Sequence, residues 1–347
     1  MTAPESPADS SDGAAGQGEL EDLEEHLLRE RPSLTQAEVA EQAGLPLEVA
    51  QKIRRLLGFA QADPDDRAFT QADVRAYTLT RDLIELGILS EERQEGLVRT
   101  WGRSFARLAE WQIALVADIA LEAGIEEPSG LLELADEIMP KVEELQSFVW
   151  RRHLVTAATR LLTTTGDDPG SMQQAVCFVD IVGYTSRSRT LSDRELVGWL
   201  EDFETAALDI VVEHEGRIIK NIGDELLIVA DSATAAADIA LELTRRGADE
   251  DDDFPAVRAG VAYGDVVIRL GDVFGPVVNI ASRLTSVARP GTVLVDLGMY
   301  SAITGRSGDD DDHHDPRSGD SPYRLRRLRR VSVKGYSRLK AWALQPA

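Results

Sequence analysis

Near residue 170 the spacing of apolar residues changes period, and that change decides what the chain can fold into. From residue 19 to about Leu162, apolar side chains recur three and four apart, the period of a helix face. From Ala175 onward they come in short continuous runs divided by Gly, Asp and Pro, the pattern of buried strands. The expectation is an all-α half followed by an α+β half. A length of 347 residues suits two domains, since single cores stop growing near roughly 250–300 residues. The pattern sets the boundaries: 1–18 a disordered tail, 19–162 a helical domain, 163–171 (TTTGDDPGS) a polar linker, and 172–347 the second domain.

In the helical half, Phe105, Leu108, Ile113, Val116 and Ile119 share one period that Gly124 and Pro128 end. Pro140 is expected to open a last long helix reaching Leu162 through Val142, Leu145, Val149 and Leu154. Trp101, Trp111 and Trp150 are expected in the core rather than in a ligand box. Residues 35–57 spell helix, Gly44 turn, helix, with Thr35 and Glu38 as a capping box, the outline of a helix-turn-helix. Charge argues against nucleic acid as its partner. Residues 19–150 hold 28 acids and 13 Lys+Arg, a balance of −15, whereas DNA binding draws on cations that neutralise phosphates. The second helix still offers Lys52, Arg54 and Arg55, so a DNA-binding regulator stays open at this point.

The second half opens with AVCFVDIV at 175–182, an apolar run holding one acid. Ser192 and Glu195 cap a helix to about His214. Runs at 217–222 and 225–230 flank Gly223-Asp224 as a tight hairpin, and a helix over 233–246 ends at Gly247. Strands follow at 256–262 and 266–270, and Pro276 begins the helix that carries Asn279 and Arg283. Runs at 292–295, 323–328 and 341–344 complete a mixed sheet. The order β-α-β-β-α-β with additions is a ferredoxin-like α+β plan.

Across the whole chain, 37 Lys+Arg stand against 61 Asp+Glu, a net charge of −24 that repels polyanions. A single cysteine, Cys177, excludes an intramolecular disulfide framework and a multi-cysteine zinc site. No run approaches the ~20 apolar residues of a membrane span, and Glu5 and Asp9 stand where a secretory signal would be basic. The expectation is a soluble, cytoplasmic protein.

Two carboxylates stand out. Asp180 sits in a run too apolar to bury a charge unless it is paired or metal-bound, and Asp224 sits at the tip of the hairpin. Side by side they could bridge two divalent ions for in-line phosphoryl displacement. The alternative is that Asp180 caps the next turn and Asp224 is an ordinary turn residue. Lys220 precedes Asp224 by four residues, and Asp272 opens the glycine-flanked GDVFGP. Asn279 and Arg283 are four apart on one helix and so share a face. An amide beside a guanidinium suits a ribose and a phosphate, although a plain exposed face would look the same.

FVDIVGYT at 178–185, KNIGDE at 220–225, GDVFGPVVNIASRL at 271–284 and VSVKGYS at 331–337 resemble, in order, the motifs of the class III nucleotide cyclases. The resemblance covers about residues 175–343. It implies an adenylate cyclase that makes cyclic AMP and pyrophosphate from ATP with two Mg²⁺ or Mn²⁺ ions per site. Asp180 and Asp224, with the backbone of Ile181, would hold the metals. Lys220 and Asp272 match the purine-reading pair, with lysine donating to adenine N1 and aspartate accepting from the exocyclic amine. Guanine presents the opposite pattern, and guanylate cyclases of the family usually carry Glu and Cys or similar there. Asn279 matches the ribose-orienting residue, Arg283 the cation that stabilises transition-state charge, and Lys334 the phosphate-binding lysine. In the family the two sets of residues come from different subunits, so a chain holding all of them implies a homodimer with composite sites. Asp265 departs from relatives that carry a phosphate-contacting Arg there, which shifts that task toward Lys334.

The helical half resembles, more loosely, the N-terminal regulatory domains of actinobacterial cyclases. FVWRRHL at 148–154 leads into the linker and holds His153; histidine is the residue type whose charge changes near physiological pH, so acidification could shift a regulatory equilibrium. Competing expectations are a guanylate cyclase and a nucleotide- or DNA-binding regulator without turnover.

Overall fold

The computed structural model describes residues 25–87, 91–125, 128–163, 171–249, 251–306, 321–328, 331–333 and 336–347. The expected tail, Lys334, most of the linker and the acidic segment 307–320 lie outside the described residues. The chain divides into two compact units, Met1–Leu161 and Leu162–Ala347.

The first unit is helical: α1 (Gln36–Ala43), α2 (Leu47–Leu57), α3 (Gln71–Glu85), α4 (Glu91–Glu122) and α5 (Pro128–Thr163). The Thr35 hydroxyl accepts from the Glu38 N–H while the Glu38 carboxylate accepts from the Thr35 N–H, and Gly44 ends α1 in the left-handed region at φ 69°. The expected capping box and turn are therefore both present. A small core of Val39, Ala43, Ala50, Ile53, Phe69, Tyr77 and Val98 ties α1–α3 to the start of α4. Two expectations fail. Pro140 lies inside α5 instead of opening it. A proline removes one helical N–H and crowds the preceding turn, yet LLELADEIM before it and KVEELQ after it are strong helix formers, and the helix runs through. Trp101, Trp111 and Trp150 are exposed, not core. Their helices extend past the compact core, so the apolar stripe continues where no described residue of the unit covers it.

The second unit is one mixed sheet. Its elements are β1 (Ser171–Ile181), α6 (Tyr184–Ser188), α7 (Asp193–Glu213), β2 (Arg217–Ile222), β3 (Glu225–Ala230), α8 (Ala233–Arg246), β4 (Val257–Arg269), β5 (Asp272–Phe274), α9 (Pro276–Val287), β6 (Val293–Asp296), α10 (Leu297–Thr304), β7 (Tyr323–Arg327) and β10 (Ala341–Pro346), with β8 (Val331–Val333) and β9 (Tyr336–Leu339) as a separate pair. The strand order β2-β3-β1-β4 is antiparallel throughout, the ferredoxin-like βαββαβ arrangement, and β6, β10 and β7 extend it. β4 is one strand where two were expected. Gly264 stays in the ladder opposite Gln174. A Cβ there would sit 3.1 Å from the Val277 side chain, so this glycine marks the close approach of α9 and not a turn.

Alternation along β1 sends Cys177, Val179 and Ile181 to the face covered by α7, α8 and α10, and Val176 and Phe178 to the face covered by α9. α9 is pressed tightly onto β4: a Cβ on Gly260 would lie 2.3 Å from the Thr285 nitrogen and 2.4 Å from the Ala281 carbonyl oxygen. The Thr285 hydroxyl also donates to the Phe178 carbonyl at 3.2 Å, pinning the helix to β1. The helix bearing Asn279 and Arg283 is thus fixed against the strand bearing Asp180.

Candidate active site

Asp180 is the second-last residue of β1 and lies on the α9 face of the sheet. In register it faces Glu225 of β3 on one side and Arg258 of β4 on the other. Side chains directly opposite on antiparallel strands meet, so the row reads acid, acid, base. Arg258 donates from Nε at 2.7 Å and from Nη2 at 2.6 Å to the same Asp180 oxygen, Oδ2. Only 17% of the Asp180 side chain is exposed. Arg258 Nη1 also donates to the Ser286 carbonyl in the last turn of α9, at 3.4 Å. The one acid of β1 is thus answered by the base at the start of β4.

Asp224 occupies the β2–β3 turn, which Gly223 permits by taking φ 66°. Its carbonyl accepts from the Ile181 N–H at 3.2 Å, which ties the turn to the end of β1. With that N–H engaged, a cation at Ile181 would take the carbonyl oxygen. Partial burial raises the Asp224 carboxyl above its ordinary range, and the Asp180 charge pushes the same way, with Arg258 opposing. Glu225 is pushed up to about 7, by burial first and then by the charges of Asp180 and Asp224.

Among the described residues no three His, Cys, Asp or Glu side chains form a ready-made metal cage. The donors present are nevertheless hard oxygens, the kind Mg²⁺ and Mn²⁺ prefer. Carboxyls driven toward protonation by one another carry negative charge that a cation would relieve. On that ground the residues fit a divalent metal.

Lys220 Nζ and Asp272 Oδ2 stand 2.5 Å apart, joining β2 to β5, strands that share no ladder. The second Asp272 oxygen accepts from the Val273 N–H at 2.9 Å, which fixes the carboxylate's orientation. Asn279 is exposed and Arg283 half-buried one turn further along α9. The Arg283 guanidinium has no hydrogen-bond or ion-pair partner among the described residues. Asp265 is exposed on β4, and His153 is exposed on α5 in the helical unit. Lys334 lies outside the described residues. Pattern reading missed Glu225 and Arg258. The signal for Arg258 was there: it is the one cation in VRAGVA, as Asp180 is the one acid in AVCFVDIV.

Two of the three helix-turn-helix cations are turned to internal use, while Arg55 is exposed. Lys52 pairs with Glu95 at 2.7 Å, and Arg54 donates to the Ala60 carbonyl and lies 4.6 Å over the Phe69 ring.

Residues 170–346 match the family model for the adenylate and guanylate cyclase catalytic domain, and residues 23–149 match that for the adenylate cyclase regulatory domain. The chain is 39% identical to an adenylate cyclase of Glutamicibacter nicotianae over 79% of its own length and 72% of that protein's. It is 32% identical to a pH-sensitive adenylate cyclase of Mycobacterium tuberculosis, over 80% of this chain and 72% of the relative. Among solved structures, the guanylate cyclase domain of RhGC from Catenaria anguillulae overlays with a TM-score of 0.43 at 21% identity, covering 50% of this chain and 97% of that one. No helix among the described residues is long and apolar enough to cross a membrane. With its catalytic domain preceded by a regulatory domain, and with relatives named adenylate cyclase matching most of its length, the chain belongs to the adenylate and guanylate cyclase family as an adenylate cyclase.

Proposed function

We propose that this enzyme converts ATP to 3′,5′-cyclic AMP and pyrophosphate as a cytoplasmic homodimer, and that its helical half restrains it in a pH-responsive way. The observation that carries the substrate choice is the Lys220–Asp272 pair at 2.5 Å. A donor and an acceptor held side by side match adenine N1 and its exocyclic amine, and they oppose guanine, which presents a donor and an acceptor in the reverse order.

Asp180, Asp224 and the Ile181 carbonyl would hold two ions, Mg²⁺ or Mn²⁺, in each site. Bound there, such ions lower the pKa of the ribose 3′-hydroxyl and neutralise triphosphate charge. Asn279 holds the ribose so that O3′ lies in line with the α-phosphorus. The O3′–Pα bond forms, the bond from Pα to the pyrophosphate oxygen breaks, and the hydroxyl proton leaves to solvent. Arg283 donates to the oxygens on which charge builds, and Lys334 holds the phosphates of the leaving group. Two features support composite sites across a two-fold axis. Arg283 has no partner among the described residues of its own chain. Val267, Ile268, Leu270 and Phe274, on the β4–β5 hairpin beside Asp272, expose 40–50% of their surface, an apolar patch suited to a second copy.

For regulation, the support is the match to a regulatory domain and the similarity to a relative named for its pH sensitivity. His153, on the helix leading into the catalytic half, is the residue proposed to carry that response.

The test is cyclic nucleotide formation by the full chain with Mn²⁺, offered ATP or GTP. Cyclic AMP made from ATP at a rate at least about a hundredfold above cyclic GMP from GTP is expected, because each mispaired buried polar contact is costly. Equal rates overturn the purine assignment, and no product from either nucleotide overturns the enzyme reading.

A further inference from the structure

We infer that Arg258 is a placeholder cation at Asp180, exchanged when a metal loads, and that the same side chain ties Asp180 to the helix carrying Asn279 and Arg283. The inference rests on the reading of Asp180 as a metal ligand.

Both Nε and Nη2 of Arg258 point at a single oxygen, Asp180 Oδ2, at 2.7 and 2.6 Å. A divalent ion bound to that oxygen would meet the guanidinium at contact distance, and like charges that close repel strongly in a half-buried site. The metal and the guanidinium therefore compete for one atom. The competition is useful when the site is empty. Glu225 and Asp224 lie beside Asp180, and Arg258 is the cation that counters the push of those charges on both. Removing it leaves three carboxyls facing one another with no base in the row.

The third nitrogen gives the arrangement a second consequence. Nη1 donates at 3.4 Å to the carbonyl of Ser286, in the last turn of α9. That turn is the negative end of the helix dipole, where a guanidinium is favourable. One planar fork thus grips the carboxylate on β1 and the end of α9 together, and a lysine ammonium on a flexible stem cannot do both. In a dimer with composite sites, Asn279 and Arg283 on α9 serve the site opposite to the one Asp180 builds. Loading a metal at one site then alters the hold on the helix serving the other. Arg258 is accordingly a positioning residue, acting through Asp180 and α9.

The experiment measures Mn²⁺ binding to the full chain without nucleotide, from the loss of the free-ion EPR signal, alongside kcat and KM. Arg258→Gln is expected to bind Mn²⁺ about tenfold more tightly, because a competing charge is gone, while kcat falls about tenfold or more with KM little changed. Arg258→Lys keeps the charge and loses the fork, so its Mn²⁺ affinity stays within about twofold of the parent while kcat falls comparably. A residue that merely supports the sheet would lose affinity and kcat together. Arg258→Gln binding Mn²⁺ no more tightly than the parent overturns the placeholder role. Arg258→Lys with an unchanged kcat overturns the tie to α9, and it decides that point even if the Gln variant does not fold. Asp180→Asn separates the two levels of the argument. If it leaves Mn²⁺ binding intact, the metal site itself is wrong and this inference falls with it. If it abolishes binding and Arg258→Gln still fails to tighten it, only the placeholder is wrong.

Discussion

The two halves of this chain treat similar apolar patterns in opposite ways. In the catalytic half, β1, β3 and β4 are apolar on both faces, and each face is covered by helices of the same unit: α7, α8 and α10 on one side, α9 on the other. In the helical half the core ends near Val98, and beyond it α4 and α5 carry Phe105, Trp111, Phe148 and Trp150 with more than half of each side chain exposed. Periodicity says which face of an element is apolar. It does not say whether the chain itself supplies the cover. This sheet is apolar on both faces: the βαββαβ order covers one of them with α7 and α8, and α9, which follows β5, covers the other. A single long helix has no such built-in partner, and its apolar stripe waits for another surface.

The sharpest break of that contrast comes from truncating one leucine in each half. Leu227 on β3 is 1% exposed and Leu121 on α4 is 75% exposed. Leu227→Ala is expected to destabilise the sheet by about 2–5 kcal/mol through lost burial and the cavity left behind. Leu121→Ala should stay within about 0.5 kcal/mol, as exposed positions do. Because the two units need not unfold together, hydrogen exchange of the sheet amides is the measurement for the first and of the α4 amides for the second. A large cost at Leu121 would mean that its helix is covered in solution by a surface the single chain does not show.

A smaller effect separates the carboxylate row from the apolar core around it. Glu225 titrates near 7 in the folded chain against an ordinary 4.5. The folded state therefore holds that proton more tightly than the unfolded state does. Its contribution to stability is fully present below the unfolded value and is lost as pH rises from about 4.5 through about 7. With the group partly open to water, the loss is on the order of 2 kcal/mol. In EDTA, Glu225→Gln should flatten the fall in Tm across that window and leave the variant the more stable protein at pH 8. A parallel fall in both proteins would show that the carboxyl is well solvated and that Asp180 and Asp224 do not act on it.

Where sequence reasoning succeeded, one local rule sufficed. The Thr35 and Ser192 capping boxes, the Gly223-Asp224 turn and the placing of Asn279 and Arg283 one turn apart on one helix depend on residues within four positions of each other. Lys220 and Asp272 are 52 residues apart, and a family resemblance was needed to pair them. Arg258 and Glu225 escaped because their role is set by register: only the alignment of β3, β1 and β4 puts them beside Asp180. Gly264 misled for the reverse reason. A glycine flanked by tyrosine and aspartate resembles a turn, and the cause of its presence, the Val277 side chain of α9, is remote in sequence. Pro140 and the three tryptophans misled because rules for helix starts and core membership assume a compact surrounding.

The smallest expected effect tests whether the helical half senses pH through one exposed ring. His153 is exposed on α5, unlike His26 and His214, which reach Asp136 at 2.9 Å and Glu242 at 2.8 Å. A charge gained by a ring in water, with no carboxylate partner among the described residues, changes the helix by a single screened charge. Such a charge is worth about 0.3–0.5 kcal/mol, or roughly a twofold change in a regulatory equilibrium. His153→Ala should therefore shift the ratio of cyclic AMP formation at pH 6 to that at pH 8 by no more than about twofold in the full chain. A tenfold or larger change would require the ring to meet another charged group in the working enzyme. The contrast between the halves would then narrow, since part of the exposed α5 surface would be a buried contact in the active assembly. No change at all removes His153 as the proposed sensor.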